Sequence, residues 1–224
     1  MALSGPRLTP KNGPARQLVV ICHGYGADGK DLIGLAPQWQ KMLPEAEFVA
    51  PNAPERCPGA GYQWFPISRI DPRDMRRGVE GAAPKLETFL AEELARLSLG
   101  ADRLALVGFS QSTMMSLHVG LNGKIKPAAI VGFSGMLTTP FEASGADTPP
   151  VLLTHGDDDQ VIPPDALFAS AVALGFQGAR VEWHLRPGLG HGIDAESVAT
   201  AGLFLALAFA GRLKASGEAS CQLR

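Results

Sequence analysis

The sequence has few of the features that mark secreted, membrane or nucleic-acid-binding proteins. Its cysteines are sparse and odd in number, since only Cys22, Cys57 and Cys221 occur among 224 residues. Such a set argues against a disulfide framework and is compatible with a reducing compartment, so we expect a cytoplasmic protein. The opening stretch, residues 1–17, has no apolar core, and we therefore expect no signal peptide.

The sequence also lacks a strong excess of charge of one sign and a long hydrophobic run. The formal net charge is −2 at pH 7, without a basic block, so we expect no nucleic-acid partner. The most apolar stretch, residues 197–213, is interrupted by Thr200 and Gly202 and is short for a membrane span. We therefore predict a buried helix there and no integral membrane span. The sequence leaves open whether the chain forms a homodimer.

What the sequence does contain is an alternation of short β-rich runs with longer helical patterns. Helices that connect successive strands require crossovers, so the alternation predicts an α/β fold, with a mostly parallel central sheet and helices on both faces. Strands are predicted over residues 17–24, 46–54, 102–109, 127–135, 149–156 and 179–188. The helical pattern of residues 73–99 is expected to bend or start afresh between Gly81 and Pro84.

The domain organisation predicted from the sequence is simple. The chain shows no internal repeat, low-complexity tract or linker, and we predict one domain over residues 1–224. Residues 1–16 would form an N-terminal arm or an edge strand, and residues 214–224 a C-terminal tail. In open α/β sheets the functional groups lie on loops after the carboxyl ends of the strands, and the corresponding loops here are rich in serine, histidine, aspartate and glycine.

Ser110 is the first candidate for a nucleophile. It lies between a predicted strand and a predicted helix, in the pattern G-x-S-x-S that Gly108 and Ser112 complete. A sharp turn with small residues two before and two after the serine can expose the hydroxyl to a base. The alternative is that Ser110 caps the helix that follows. Ser134, in GFSG, is a weaker rival, because no helical pattern follows it.

Ser112 stands where such a turn favours glycine. Its Cβ and hydroxyl should crowd the helix against the strand, which predicts that Ser112→Gly is tolerated and raises activity. The competing possibility is that the hydroxyl makes a useful hydrogen bond to a nearby loop.

His191 is the best candidate for the base among five histidines. It lies in PGLGHGID, a glycine-rich loop after the last predicted strand, and such a loop can carry an imidazole over the end of the sheet. His23 and His155 each end a strand, and we expect both to be buried and bonded to backbone. His118 falls inside a helix and His184 inside a strand.

A carboxylate is needed to orient the base, and the run HGDDDQVIP offers three. Asp157, Asp158 and Asp159 cannot all be buried and ionised, so one should point inward while the others are solvated. Their spacing does not decide which one. A metal site formed by His155, Asp157 and Asp159 is a minor alternative, because no second histidine or cysteine stands at ligand spacing.

Backbone N–H groups must stabilise the oxyanion of an acyl-transfer reaction. The residue after the nucleophile, Gln111, would supply one of them. The other should come from the loop HGYGADG, with Tyr25 at its centre. The alternative is that these glycines only make a tight turn.

Taken together, the motifs resemble those of the phospholipase/carboxylesterase family of α/β-hydrolases, which includes the acyl-protein thioesterases. They are HGYGADGKDL, PNAP, WF, GFSQ, GFSG, HGDDDQVIP and GLGH, in the family's order from about residue 17 to 210. The resemblance implies an α/β-hydrolase fold with Ser110 as nucleophile, Asp159 as acid and His191 as base. It also implies that Tyr25 and Gln111 donate to the oxyanion. The choice of Asp159 over Asp157 rests on this resemblance.

The function expected on this basis is that of a serine carboxylesterase, which hydrolyses carboxylic esters through an acyl-enzyme and needs no cofactor or metal. Acyl-protein thioesterase or lysophospholipase activity is the alternative, and a non-catalytic binding protein on the same fold a remote one. The chain is too short for a large cap domain. We expect the acyl group of a small-molecule or acyl ester substrate to contact Tyr62, Trp64, Phe65 and Met136, although this aromatic loop could instead be a core anchor.

Overall fold

The structure, a computed structural model, describes residues 3–143, 145 and 148–213. Cys221 and the tail predicted for residues 214–224 lie outside the described residues. The strands are β1 (Arg7–Leu8), β2 (Gln17–Cys22), β3 (Ala46–Val49), β4 (Glu55–Arg56), β5 (Tyr62–Gln63), β6 (Leu104–Phe109), β7 (Ala129–Phe133), β8 (Val151–Gly156) and β9 (Val181–Arg186). The helices are α1 (Gly29–Ile33), α2 (Ala36–Trp39), α3 (Pro72–Leu97), α4 (Gln111–Asn122), α5 (Asp165–Phe176) and α6 (Ala195–Phe209).

A seven-stranded sheet forms the centre of the fold, in the order β1-β3-β2-β6-β7-β8-β9. All neighbours from β3 to β9 are parallel, and β1 pairs antiparallel with β3 at one edge. The mostly parallel sheet predicted from the alternating pattern is therefore confirmed. Because the strands run the same way, the loops after β2, β6, β8 and β9 meet at one end of the sheet.

Apolar side chains of the strands point to both faces, and each face is covered by helices. One face packs on α3 and α4, and the β8 side of that face packs on α4 and α5. The opposite face packs on α1, α2 and α6. Strands buried on both faces explain why β2, β6 and β8 are continuous apolar runs. Among the described residues, no helix combines the length and the hydropathy that a membrane crossing requires.

Of the two outcomes expected for the helical pattern of residues 73–99, a bend or a fresh start, the fresh start is wrong. Helix α3 continues through Pro84 as one element. Its buried side chains on either side of the proline, Val79 and Leu86 among them, belong to one core cluster. Tertiary packing therefore holds the helix together where local propensity favours a break.

Candidate active site

Ser110 occupies the sharp turn between β6 and α4. Its backbone lies at φ 56° and ψ −116°, a conformation that L residues adopt only when the surroundings enforce it. A Cβ on Gly108 would lie 2.3 Å from the carbonyl oxygen of Ser112, so the turn closes only over a glycine. The Ser110 hydroxyl makes no capping bond to helix α4. The capping alternative is therefore excluded, and the side chain is free to face the neighbouring loops.

The histidine loop brings His191 directly against this serine. His191 Nε2 lies 2.9 Å from Ser110 Oγ, and Nδ1 lies 2.8 Å from Asp159 Oδ2. The imidazole ring also packs on Phe109, with ring centroids 5.1 Å apart. The structure thus joins a hydroxyl, an imidazole and a carboxylate in one chain of hydrogen bonds, although these residues lie far apart in sequence.

Asp159 is buried, and four groups surround its carboxylate. Its Oδ1 accepts the backbone N–H groups of Val161 and Ile162 at 2.8 and 2.9 Å. Its Oδ2 faces His191 Nδ1 and, at 3.1 Å, His155 Nε2. Burial by itself would raise the pKa of Asp159, but the hydrogen bonds from His191, Ile162 and Val161 outweigh it, so the pKa lies below its ordinary value. The carboxylate therefore stays ionised although only 2% of the residue is exposed.

The other two aspartates of this loop point elsewhere, as the argument from burial requires. Asp157 is exposed, and its Oδ1 accepts the N–H of Gly188 at 2.7 Å. Asp158 is exposed and bonds the side chain of Gln160 at 3.1 Å. Since Asp157 turns away from His155, the three residues of the minor metal alternative do not converge. In the part of the chain that the structure describes, no cluster of three or more potential ligands could hold a metal ion.

Ser134, the rival candidate for the nucleophile, makes a structural hydrogen bond instead. It is fully buried, and its hydroxyl donates to the carbonyl of Gly192 at 3.0 Å. Its backbone lies at φ 45°, which allows the side chain to reach the histidine loop from the end of β7. Ser134 therefore holds the residue next to His191 in place, a role that the sequence pattern GFSG did not reveal.

The remaining histidines are placed away from the hydroxyl of Ser110. His23 is buried and bonded to the backbone of Gly24 and Ala53, as expected. His155 is bonded to the carbonyl of Ile162 at 2.8 Å, as expected, but it also lies 3.1 Å from Asp159, a contact that the sequence pattern did not predict. A histidine four residues before an inward-facing aspartate could have suggested that contact.

Two backbone N–H groups belong to segments that lie next to Ser110. Among residues 3–143, 145 and 148–213, neither Tyr25 N nor Gln111 N donates a hydrogen bond. A Cβ on Gly24 would lie 3.3 Å from Ser110 Cβ, so the loop that carries Tyr25 lies against the serine. These are the two amides predicted to face an oxyanion.

Strand β5 holds the loop of Tyr25 in place. Gly26 N donates to Tyr62 O at 2.9 Å, and Tyr62 N donates to Ala27 O at 2.8 Å. The nearby thiol of Cys57 raises the pKa of the Tyr25 phenol. The aromatic segment around Tyr62 therefore supports the first of the two amides.

The contacts of Trp64 and Phe65 favour the alternative interpretation, a core anchor, over substrate contact. Both are core side chains, 1% and 4% exposed, and the Trp64 indole N–H donates to His23 O at 3.0 Å. Two hydrogen bonds hold this segment against the core. The buried side-chain amide of Gln111 accepts the backbone N–H of Trp64 at 2.9 Å and donates to the carbonyl of Phe65 at 2.7 Å, which the sequence pattern did not predict. This segment is the core anchor that was the alternative interpretation. Tyr62 and Met136 are partly exposed and stay candidates for substrate contact.

At Ser112 the contacts favour the competing possibility over the predicted crowding. Its hydroxyl is fully buried, accepts the N–H of Phe109 at 2.9 Å and donates to Cys22 O at 2.5 Å. These bonds join the turn of Ser110 to the end of β2, and β2 leads into the loop of Tyr25. The competing possibility, a useful hydrogen bond to a neighbouring segment, is what the structure shows.

The chain is similar to known proteins in both sequence and fold. A family model described as phospholipase/carboxylesterase matches residues 3–209. A protein named acyl-protein thioesterase 1 from Gibberella zeae is 28% identical over 233 residues, covering 91% of this chain and 97% of that protein. Esterase YpfH of Escherichia coli is 30% identical over 191 residues, covering 83% and 80%. Among solved structures, esterase PE8 superposes with a TM-score of 0.86 at 42% identity, covering 92% of this chain and 98% of that one.

Proposed function

The chain belongs to the phospholipase/carboxylesterase family of α/β-hydrolases, and we propose that it is a serine esterase whose catalytic residues are Ser110, His191 and Asp159. The observation that carries this proposal is the continuous chain of hydrogen bonds from Ser110 Oγ through His191 to Asp159. Such an arrangement, next to two amides that donate to no acceptor within the described ranges, supports acyl transfer.

In the proposed reaction, Ser110 Oγ attacks the ester carbonyl carbon while its proton passes to His191 Nε2. The carbonyl oxygen becomes an oxyanion and accepts the N–H groups of Tyr25 and Gln111. As the tetrahedral intermediate collapses, the bond to the leaving group breaks and the leaving oxygen or sulfur takes the proton from His191. Water then attacks the acyl-enzyme with His191 as base, which releases a carboxylic acid and restores Ser110.

Asp159 supports both proton transfers without taking a proton itself. Its ionised carboxylate holds His191 in the tautomer that presents a bare Nε2 to Ser110, and it stabilises the imidazolium formed during each step. Because the carboxylate is buried and fully hydrogen-bonded, it needs no rearrangement when the charge appears. The lowered pKa of Asp159 matters for catalysis because it keeps the carboxylate ionised before each proton transfer begins.

We propose simple carboxylic esters as the substrate class, with thioesters of acylated proteins as the second candidate. The name of the similar esterase from E. coli favours the first, and that of the similar thioesterase from Gibberella zeae the second. The chemistry of the site suits both, since the proposed attack requires only a carbonyl carbon and a leaving group that accepts a proton. Tyr62 and Met136, which are partly exposed, would contact the acyl chain.

The test uses p-nitrophenyl acetate, whose coloured product appears in a burst when acylation outpaces deacylation. We expect a burst from the wild type and none from Ser110→Ala, with a loss on the order of a million-fold in kcat. Ser68→Ala, at an exposed position, is the control and should behave as wild type. If Ser110→Ala kept a tenth of the activity, Ser110 would not be the nucleophile.

A panel of matched substrates decides between the two substrate classes. Oxygen esters, thioesters and lysophosphatidylcholine that carry the same acyl chain should be compared by kcat/KM. A preference for the small esters supports the carboxylesterase proposal, and a preference for the thioester of an acylated peptide supports the alternative. No turnover of any of them, with the fold intact, would favour a binding protein.

A further inference from the structure

Helix α5 exposes an apolar face that nothing in the described structure covers. Its sequence, DALFASAVALGF, contains one charged residue, Asp165, at its first position. The buried side packs on β8 and β9, while Val172 and Phe176 are 71% and 87% exposed. A helix that is apolar all around is normally buried on all sides. The outer face of α5 therefore indicates a missing partner.

The apolar surface continues from the helix onto the adjacent strand. Phe168, Val172 and Phe176 form one stripe at four-residue spacing along α5. Phe168 packs edge-on against Trp183 of β9, with ring centroids 5.4 Å apart, and Trp183 is itself partly exposed. We call these four residues the α5–β9 patch. Their exposed area is on the order of 400 Å², about half of what one partner buries in a stable protein complex.

Strand β9 adds an open edge next to this patch, because it is the last strand of the sheet. The carbonyls of Arg180 and Arg186 accept N–H groups from the β8 side. Backbone groups alternate in direction along a strand, so the N–H and C=O of Trp183 point away from β8. An edge of this kind can pair with another strand.

We propose that a second copy of this chain docks on the α5–β9 patch, with the two β9 strands paired antiparallel about a two-fold axis at Trp183. The paired edges would join the two sheets into one, and the α5 helices would pack side by side on the same face. The α5–β9 patch alone is too small for a stable complex, and the helix contact and the strand pairing together would bury the additional area that is needed.

The symmetry of the sequence fits this arrangement. With the axis at Trp183, Glu182 of one copy faces His184 of the other, and the converse pair forms at the same time. These side chains already form a hydrogen bond within one chain, with His184 Nε2 2.9 Å from Glu182 Oε1. The same hydrogen-bonding pair can therefore form twice across the two-fold axis, where two glutamates would repel each other. This self-complementarity favours a second copy over an unrelated partner.

The helix stripe has the same symmetry as the strand. Val172 stands midway between Phe168 and Phe176, so a two-fold axis through Val172 brings each Phe168 against the Phe176 of the other copy. Val172 and Trp183 line one shallow depression, which allows one axis to pass close to both. An unrelated partner would not require the stripe and the strand to share a centre.

Sedimentation velocity over a wide range of protein concentration tests the proposal. We expect a wild-type dimer that dissociates on dilution. Val172→Glu would bring two carboxylates together at the axis and should raise the dissociation constant at least a hundredfold. Leu203→Glu is the matched control, because Leu203 is also exposed but lies on α6, against the opposite face of the sheet. Circular dichroism checks that both variants are folded.

Charge reversal at β9 tests the register of the pairing. Glu182→Lys alone places a lysine opposite His184, and His184→Glu alone places two glutamates opposite each other, so each should weaken the dimer about tenfold or more. The double variant places a lysine opposite a glutamate across the axis and should recover the dimer. A double variant as weak as the single variants would overturn the strand pairing.

Two further results would overturn the proposal as a whole. One is a wild type that is monomeric at every concentration; flotation with phosphatidylcholine vesicles would then show whether the patch binds lipid instead. The other is a dimer that Leu203→Glu weakens as much as Val172→Glu, which would place the interface elsewhere.

Discussion

The side chains of His155 and Asp159 contact each other in a site closed to solvent, with His155 Nε2 3.1 Å from Asp159 Oδ2. Asp159 Oδ2 is also the atom that faces His191. His155 therefore acts on the proposed catalytic base through the carboxylate that orients it, and it is a positioning residue. Its ring is anchored by the carbonyl of Ile162, so its direction is set independently of His191.

His155→Leu should lower kcat about tenfold with little change in KM, because it removes the ring that lies 3.1 Å from Asp159 Oδ2 and helps to position the carboxylate that orients His191, and small misplacements of reacting groups are costly. Since Asp159 orients His191, a change in the surroundings of the carboxylate should also move the acid limb of the pH–rate profile. His155→Gln keeps an N–H at similar reach and should restore both properties. If both variants lost the same amount of kcat and the pH–rate profile did not move, His155 would contribute only by packing.

Asp159→Asn should lower kcat about ten-thousand-fold, by comparison with the same change in serine proteases, because an amide favours the wrong imidazole tautomer. Asp157→Asn and Asp158→Asn should stay near wild type, since both side chains are exposed and turned away from His191. Steady-state kinetics of the three variants make the comparison. Equal, mild losses would remove Asp159 from the proposed triad.

Acid should remove the stabilisation that Asp159 provides. Because its pKa is lower in the folded state than in the unfolded chain, the ionised carboxylate stabilises the fold above the ordinary carboxyl pKa, and this contribution is lost as the pH falls through the lowered value. The difference in unfolding free energy between wild type and Asp159→Asn should therefore shrink as the pH drops from 7 into the range below 4. Urea unfolding at several pH values measures it, and a difference that does not vary with pH would contradict the linkage.

Ser112→Gly should lower both activity and melting temperature. It leaves the N–H of Phe109 and the carbonyl of Cys22 without the hydroxyl that bonds them, and a buried group without a partner costs about 1–3 kcal/mol. For a chain of this length that corresponds to a fall of roughly 2–12 °C.

Ser112→Ala separates the hydroxyl from the Cβ at this position. If the hydrogen bonds matter, alanine should be about as harmful as glycine. If crowding matters, glycine should be better than serine, and alanine should lie between them. Thermal unfolding and kcat/KM of the three proteins distinguish these orders.

The fold could be predicted from the sequence because the patterns that specify its strands and helices involve residues close together along the chain. Buried parallel strands require continuous apolar runs, and the crossover helices between them follow from the same pattern. The residue types of the candidate site could be named for a related reason, since the carboxyl ends of parallel strands meet at one edge. The catalytic roles of Ser110, His191 and Asp159 nevertheless stay a proposal that the experiments above must test.

What the sequence could not show are the directions of side chains, which depend on distant neighbours. The aromatic segment at Trp64 and Phe65 is equally suited to a core or to a substrate surface, and only the amide of Gln111, 46 or 47 residues away in sequence, turns it inward. The choice among three adjacent aspartates came from a family resemblance, whereas the structure shows the donors that draw Asp159 inward.

Sequence alone therefore determined the order of strands and helices, the loops that meet at the end of the sheet, and the set of polar residues on them. Tertiary structure alone decided that Ser112 ties the turn of Ser110 to β2, that Ser134 holds the histidine loop, and that His155 contacts Asp159. The physical reason is that the spacing of apolar residues can be read directly from the sequence. A buried hydrogen bond instead needs two groups within about 3 Å, and only the folded chain brings such groups together.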